Sequence, residues 1–121
     1  MRWLVQGNIT PALTAALERH GHGVVQVSEL GLEDAADLDA LFKSIHQRQL
    51  DVITTERALV DWPISQTRKF DRAIVYLQLE GGDVEQDDAI DRLFARYKSP
   101  KPGQLYTVTG SRVKVRQLPG L

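Results

Sequence analysis

Short apolar runs alternate along this chain with amphipathic segments, and this order restricts the fold more than any other feature. Three runs are typical of buried strands, at Arg2 to Val5, Val24 to Val27 and Asp51 to Thr55. A segment with helical spacing separates each run from the next. Strand, helix, strand, helix and strand in this order predict a parallel sheet whose crossovers are right-handed.

The helices between these strands carry recognisable start signals. Thr10 is suited to cap the first helix, and Pro11 fits its first position because a missing N–H costs nothing there. We expect Asp34 to cap the second helix, with Asp37 favouring the positive end of its dipole. The apolar face of that second helix repeats at Leu38, Leu41, Phe42 and Ile45.

The second half of the chain completes the predicted fold. Residues 61–72 (DWPISQTRKFDR) are polar and lack a steady period, so we predict a long loop. Ala73 to Leu79 predicts a fourth strand, and Ile90 to Tyr97 carries a further helical face. Two alternating runs around Gly110-Ser111 predict a terminal hairpin. The prediction is one α/β domain over residues 1–121, a three-layer sandwich with a mainly parallel sheet and a C-terminal β-hairpin.

Composition excludes several classes of function. The 15 Lys and Arg residues nearly balance the 16 Asp and Glu residues, so no overall field draws the protein to nucleic acid or an anionic membrane. The chain has no Cys, which removes disulfides and thiolate chemistry. No apolar run approaches the roughly 20 residues of a membrane span. We therefore expect a cytoplasmic protein without a membrane partner.

A collinear set of short motifs runs along the chain, at Gln6-Gly7-Asn8-Ile9, Gly21-His22, Leu30-Gly31, Asp37, Thr54 to Leu59 and the ending Val113 to Pro119. Together these motifs resemble those of the small stand-alone PIN-like family, over nearly the whole chain. The resemblance implies the α/β/α fold. It also implies RNA cleavage that depends on Mg²⁺ or Mn²⁺, in proteins that often act as toxins beside an antitoxin.

The resemblance also implies a site, and the sequence departs from the family pattern there. Gln6 stands where the family has Asp, Gly7 where it has Glu, and Ala58 where it has a further Asp. The implied catalytic site comprises Gln6, Asn8, Asp37 and Glu56. Asp37 and Glu56 are its implied metal ligands, Gln6 and Asn8 line the centre, and Asp61 is a candidate substitute for the acid lost at Ala58. Because Mg²⁺ is held by carboxylates, we expect impaired or lost cleavage. The alternative is a non-catalytic module that binds RNA or protein.

Basic residues in the closing strand suggest a second surface. Arg112, Lys114 and Arg116 recur at about 6.8 Å intervals along one strand face, close to the spacing of phosphates. Together with Arg57, and with Arg68, Lys69 and Arg72, they predict nucleic-acid binding. The other interpretation is that they protect an exposed edge strand from aggregation. Expected partners are RNA, an antitoxin or other protein, and a second copy in a homodimer.

Overall fold

The computed structural model describes residues 1–32, 37–65 and 70–119 and confirms the predicted α/β class. One six-stranded sheet runs in the order β2-β1-β3-β4-β5-β6, with β1 to β5 parallel and β6 antiparallel to β5. The strands are β1 (Arg2–Gln6), β2 (Gly23–Gln26), β3 (Asp51–Thr54), β4 (Ile74–Leu77), β5 (Gln104–Val108) and β6 (Val113–Gln117). The helices are α1 (Pro11–Arg19), α2 (Leu38–Arg48), α3 (Arg57–Ser65) and α4 (Asp83–Arg96), with a 3-10 turn at Val27–Leu30.

Alternating side chains of the sheet divide the core into two halves. Trp3 and Val5 of β1 pack with the buried faces of α1 and α4, whereas Leu4 packs with those of α2 and α3. Neighbouring residues of a strand point to opposite faces, so a strand covered on both sides is apolar throughout. This explains why the strands of the sheet centre read as continuous apolar runs. The architecture is therefore helix pair, sheet and helix pair.

Two helix starts differ in detail from their predicted caps. Asp37 itself is the N-cap of α2, because its side chain accepts a hydrogen bond from Ala40 N at 3.1 Å. Asp34, the predicted cap, lies outside the described residues. Thr10 occupies the N-cap position of α1, yet its side chain makes no cap hydrogen bond and contacts α4 instead.

The predicted loop at residues 61–72 is wrong in its first part, because residues 61–65 belong to α3. This helix contains Pro63, which cannot donate a backbone hydrogen bond and so discouraged a helical prediction. Leu59, Val60 and Pro63 form a buried face that compensates for the missing bond. Trp62 stacks on Phe42 of α2, with ring centroids 4.6 Å apart.

None of the helices in the described ranges has the length and apolar character needed to cross a membrane.

The feature of the fold that matters most for a site is the reversal of winding at β1. The chain passes from β1 to β2 on one side and then returns to place β3 on the other side. In open parallel sheets, ligands bind beside the carboxyl ends of the strands where the winding reverses.

Candidate functional site at the carboxyl ends of β1 and β3

Gln6 and Thr54 mark the point of reversal, since they are paired neighbours at the ends of β1 and β3. Gln6 is 7% exposed and Thr54 is fully buried. Glu56 follows β3 by two residues and is exposed. Three of the residues that end these two strands therefore meet where the fold would hold a ligand.

The side-chain amide of Gln6 bridges Thr54 and Glu56. Its Oε1 accepts a hydrogen bond from Thr54 Oγ1 at 2.6 Å, and its Nε2 donates to Glu56 Oε2 at 2.7 Å. The Glu56 carboxylate can only accept, so the amide presents its Nε2 to Glu56 and its Oε1 to Thr54. The Thr54 hydroxyl therefore donates to Gln6, and it accepts from the backbone N–H of Glu56 at 2.9 Å. The amide of Gln6 is thereby oriented with its N–H toward the carboxylate.

This orientation determines how the site treats a cation. Mg²⁺ and Mn²⁺ are held by oxygen ligands, whereas the group that faces the Glu56 carboxylate is an N–H donor. The N–H donor of Gln6 occupies the side of the Glu56 carboxylate where a cation would bind if position 6 were also an acid. The residues present do not fit the metal implied by the resemblance.

The turn after β1 is held close to the end of β3. Gly7 adopts a φ of 95°, and a Cβ atom at this position would collide with Thr55 Oγ1. The same hydroxyl accepts a hydrogen bond from Asn8 N at 2.9 Å, and Thr55 N donates to Gln6 O at 3.3 Å. A side chain at position 7 is therefore excluded by both the backbone conformation and the space available. Glycine at position 7 therefore permits this close contact between the turn and the end of β3.

Gln86 of α4 completes the support of the turn. It is 5% exposed, and its Oε1 accepts from Thr10 N at 3.0 Å and from Thr10 Oγ1 at 3.3 Å. Its Nε2 donates to the carbonyl oxygen of Asn8 at 2.7 Å. One buried amide therefore ties the beginning of α1 and the turn after β1 to the first turns of α4. This role escaped the sequence analysis, although a polar residue on the apolar face of α4, four residues before Ile90, was a usable signal.

A cavity of about 520 Å³ opens between this turn and the end of β4. Its volume lies in the range of roughly 300–1,000 Å³ that is usual for ligand sites. Among the lining residues that the structure describes, Glu80 is the one acid, and none is Lys or Arg. Hydroxyl and amide side chains supply most of the other polar groups, and the lining includes Asn8, Thr55, Tyr76, Gln78, Glu80 and Gln86.

The acids implied as metal ligands are not brought together. Asp37 uses its carboxylate to cap α2, Asp61 faces Arg57 at 3.5 Å, and Glu56 accepts from Gln6. Among residues 1–32, 37–65 and 70–119, no three His, Cys, Asp or Glu side chains are grouped so that they could hold a metal ion. Ala58 lies exposed in the first turn of α3 and contributes no ligand oxygen. The structure joins Gln6 directly to Glu56, and Asn8 reaches them through Thr55.

The predicted basic residues fall on two separate parts of the sheet. Arg57 begins α3 beside the end of β3, with 77% of its side chain exposed. Lys114 and Arg116 lie on β6, and Arg112 precedes it. Since β4 and β5 lie between β3 and β6, these strands are about 14 Å apart. Arg68 and Lys69 lie outside the described residues, and Arg72 forms an ion pair with the buried Asp51 at 3.1 Å.

No protein-family model matches the sequence, and comparisons with curated proteins and with solved structures give no significant match.

Proposed function

We propose that this protein is a PIN-like module that has lost metal-dependent RNA cleavage and acts by binding. The observation that carries the proposal is the 2.7 Å hydrogen bond from Gln6 Nε2 to Glu56 Oε2. An amide donor satisfies the carboxylate that a catalytic cation would need. The resemblance to PIN-like proteins supplies the ancestry, and the geometry at the strand ends supports the loss of cleavage.

The ligand that best suits the neighbouring cavity is an unpaired RNA base. Amides of Asn8 and Gln78 line it, and amide groups pair well with the hydrogen-bonding edges of bases. Tyr76 is half-buried in the same wall and offers an aromatic surface for stacking. Glu80 disfavours a phosphate in the cavity, so the base would enter and the backbone would remain outside.

Binding and cleavage of a fluorescein-labelled single-stranded RNA test this proposal together. We expect anisotropy to report binding that is equal in EDTA and in millimolar Mn²⁺, with the RNA intact on a denaturing gel. Tyr76→Ala should weaken binding about tenfold through loss of stacking. Gln78→Ala should also weaken RNA binding. It should leave the melting temperature unchanged, because Gln78 is exposed. Gln47→Ala, an exposed residue of α2, is the matched control and should bind as the unaltered protein does.

Two results would count against the proposal. If the protein cleaves RNA in Mn²⁺, and Glu56→Gln abolishes that cleavage, the protein is an active nuclease and the proposed loss of activity is wrong. If neither Tyr76→Ala nor Gln78→Ala changes the affinity for RNA, the cavity is not the ligand site.

A further inference from the structure

Strand β6 forms one edge of the sheet, and its outer side has no strand beside it in the described part of the chain. All of its residues after Val113 are exposed. We propose that this edge binds an extended segment of another protein, with acidic and apolar side chains in alternation, as an added β-strand. This surface is separate from the cavity at the strand ends.

The hydrogen-bonding phase of the hairpin identifies which backbone groups face outward. Thr109 N donates to Arg112 O at 2.9 Å, and Leu118 N donates to Gly103 O at 2.8 Å, one at each end of the β5–β6 pair. In an antiparallel pair, hydrogen-bonded residues alternate with non-bonded ones. Arg112, Lys114, Arg116 and Leu118 therefore bond inward to β5. The N–H and C=O groups of Val113, Val115 and Gln117 point to the open edge.

The two faces of β6 differ in chemistry. Val113 packs in the core beneath α1 and α4, and Val115 continues that face with 39% of its surface exposed. Lys114 and Arg116 lie on the other face, since Arg116 is paired with Leu105, which packs with α2 and α3. A strand added beside β6 would place its own alternate residues against these two faces. Acidic residues would oppose Lys114 and Arg116, and apolar residues would oppose the valines.

The same register disfavours a second copy of this chain as the occupant. Two β6 strands can bond through their outward N–H and C=O groups only in certain registers. In these, Val113, Val115 or Gln117 of one strand lies opposite one of the same three residues in the other. Every such antiparallel register except the one that pairs Gln117 with Gln117 sets Lys114 or Arg116 opposite a cation of the second copy, and that one overlaps the two strands only at their ends. Like charges directly opposite one another destabilise a strand pair. An acidic segment removes this repulsion, and the valine face favours a polypeptide over a phosphate chain.

A fluorescein-labelled synthetic peptide of alternating Val and Glu tests the proposal by anisotropy. We expect it to bind, and the Val–Lys peptide of equal length not to bind. The double variant Lys114→Glu with Arg116→Glu should weaken binding of the Val–Glu peptide about tenfold or more and favour the Val–Lys peptide. Lys43→Glu with Arg48→Glu changes the charge equally on exposed positions of α2 and should leave the preference unchanged.

A second pair of measurements separates strand addition from simple charge attraction. Val115→Pro removes an outward N–H without removing a bond to β5, so it should abolish peptide binding and leave the melting temperature nearly unchanged. By NMR hydrogen exchange, the amides of Val113, Val115 and Gln117 should become protected when the peptide binds. Those of Lys114 and Arg116 should change little, because they already bond to β5.

Three results would overturn the proposal. The first is a Val–Glu peptide that fails to bind, or binds without protecting the Val115 amide. The second is a single-stranded oligouridylate that binds in place of the peptide, with sensitivity to the double charge reversal and none to Val115→Pro. The third is a concentration-dependent dimer in sedimentation that Val115→Pro disrupts, which would make a second copy the occupant.

Discussion

The side-chain amide of Gln6 donates to the carboxylate of Glu56 at 2.7 Å, across the carboxyl ends of β1 and β3. The relationship is fixed from both sides, because Thr54 donates to the oxygen of the same amide at 2.6 Å. A neutral donor thus stabilises an exposed carboxylate at the strand ends, where open parallel sheets bind ligands. The consequences extend to the turn after β1 and to α4, which hold this arrangement in place.

The turn at Gly7 should be sensitive to any side chain. Gly7→Ala combines a backbone strain at φ 95° with a collision against Thr55 Oγ1. We expect the free energy of unfolding in urea to fall by about 2–4 kcal/mol. Gly21→Ala is the matched control, since Gly21 has a φ of 84° and nothing within 4 Å of the added Cβ. Its cost should be limited to about 1–2 kcal/mol of backbone strain, and equal losses in the two variants would contradict the collision.

Gln86 should contribute to stability beyond its size. Gln86→Leu keeps the volume and leaves Asn8 O and Thr10 N without their buried partner. We expect the free energy of unfolding to fall by about 1–3 kcal/mol, because two partly buried hydrogen bonds are lost and each is worth about 0.5–1.5 kcal/mol. Gln78→Ala, at an exposed position nearby, should change it by less than about 0.5 kcal/mol. An unchanged urea midpoint in Gln86→Leu would show that the amide does not secure the turn.

The ion pair at the start of β3 joins a buried carboxylate to a partly exposed guanidinium, and it can be compared with a fully exposed pair. Asp51 is 1% exposed and accepts from Arg72 Nη2 at 3.1 Å and from Ala73 N at 2.9 Å. Asp51→Ala leaves both donors unpaired, so it should lower the free energy of unfolding by about 3–5 kcal/mol. Asp61→Ala breaks an exposed pair with Arg57 and should cost less than about 1 kcal/mol. Similar urea midpoints for the two variants would refute this ranking.

Stability should decrease on mild acidification because of His22. Burial, and then the positive N-terminus and His20, lower the pKa of His22 below its ordinary value of 6.5. The ring accepts a hydrogen bond from Trp3 Nε1 at 3.3 Å, which requires the neutral form. The unfolded chain therefore binds the proton first, and the free energy of unfolding falls as the pH drops from 6.5 toward the lower folded pKa. Above pH 6.5 the contribution of neutral His22 to the free energy of unfolding is fully retained.

His22→Gln should remove this part of the pH dependence. The glutamine carbonyl can still accept from Trp3, but it does not titrate. Urea midpoints measured from pH 8 to pH 5 should therefore decline less in His22→Gln than in the unaltered protein. A steeper decline in the variant would mean that the sign assigned to His22 is wrong.

Sequence patterns predicted the sheet well and one helix poorly. The strands were recoverable because each is a short apolar run, and the hairpin because its residues alternate around Gly110-Ser111. The helix α3 was missed because Pro63 and polar neighbours hide a face that only tertiary packing defines. Asp37 was correctly located at the start of α2, but which acid caps a helix depends on the local geometry.

The sequence predicted where the residues of the candidate site lie, but it did not predict which side chains contact each other. Gln6, Asn8 and Glu56 were expected at the strand ends, since parallel strands bring their carboxyl ends to one edge. The hydrogen bond from Gln6 to Glu56 joins residues 50 positions apart and depends on the rotamers of both. Asp61 was left open as a substitute for the acid lost at Ala58, and in α3 its carboxylate faces Arg57, four residues earlier, at 3.5 Å.

The central claim is that an amide replaces a cation beside Glu56, and Gln6→Glu tests it most directly. The substitution keeps the shape and sets two carboxylates against each other, so in EDTA the melting temperature should fall. Millimolar Mn²⁺ should restore it in the variant and leave the unaltered protein unchanged. Stabilisation of the unaltered protein by Mn²⁺, with no gain in Gln6→Glu, would contradict the account.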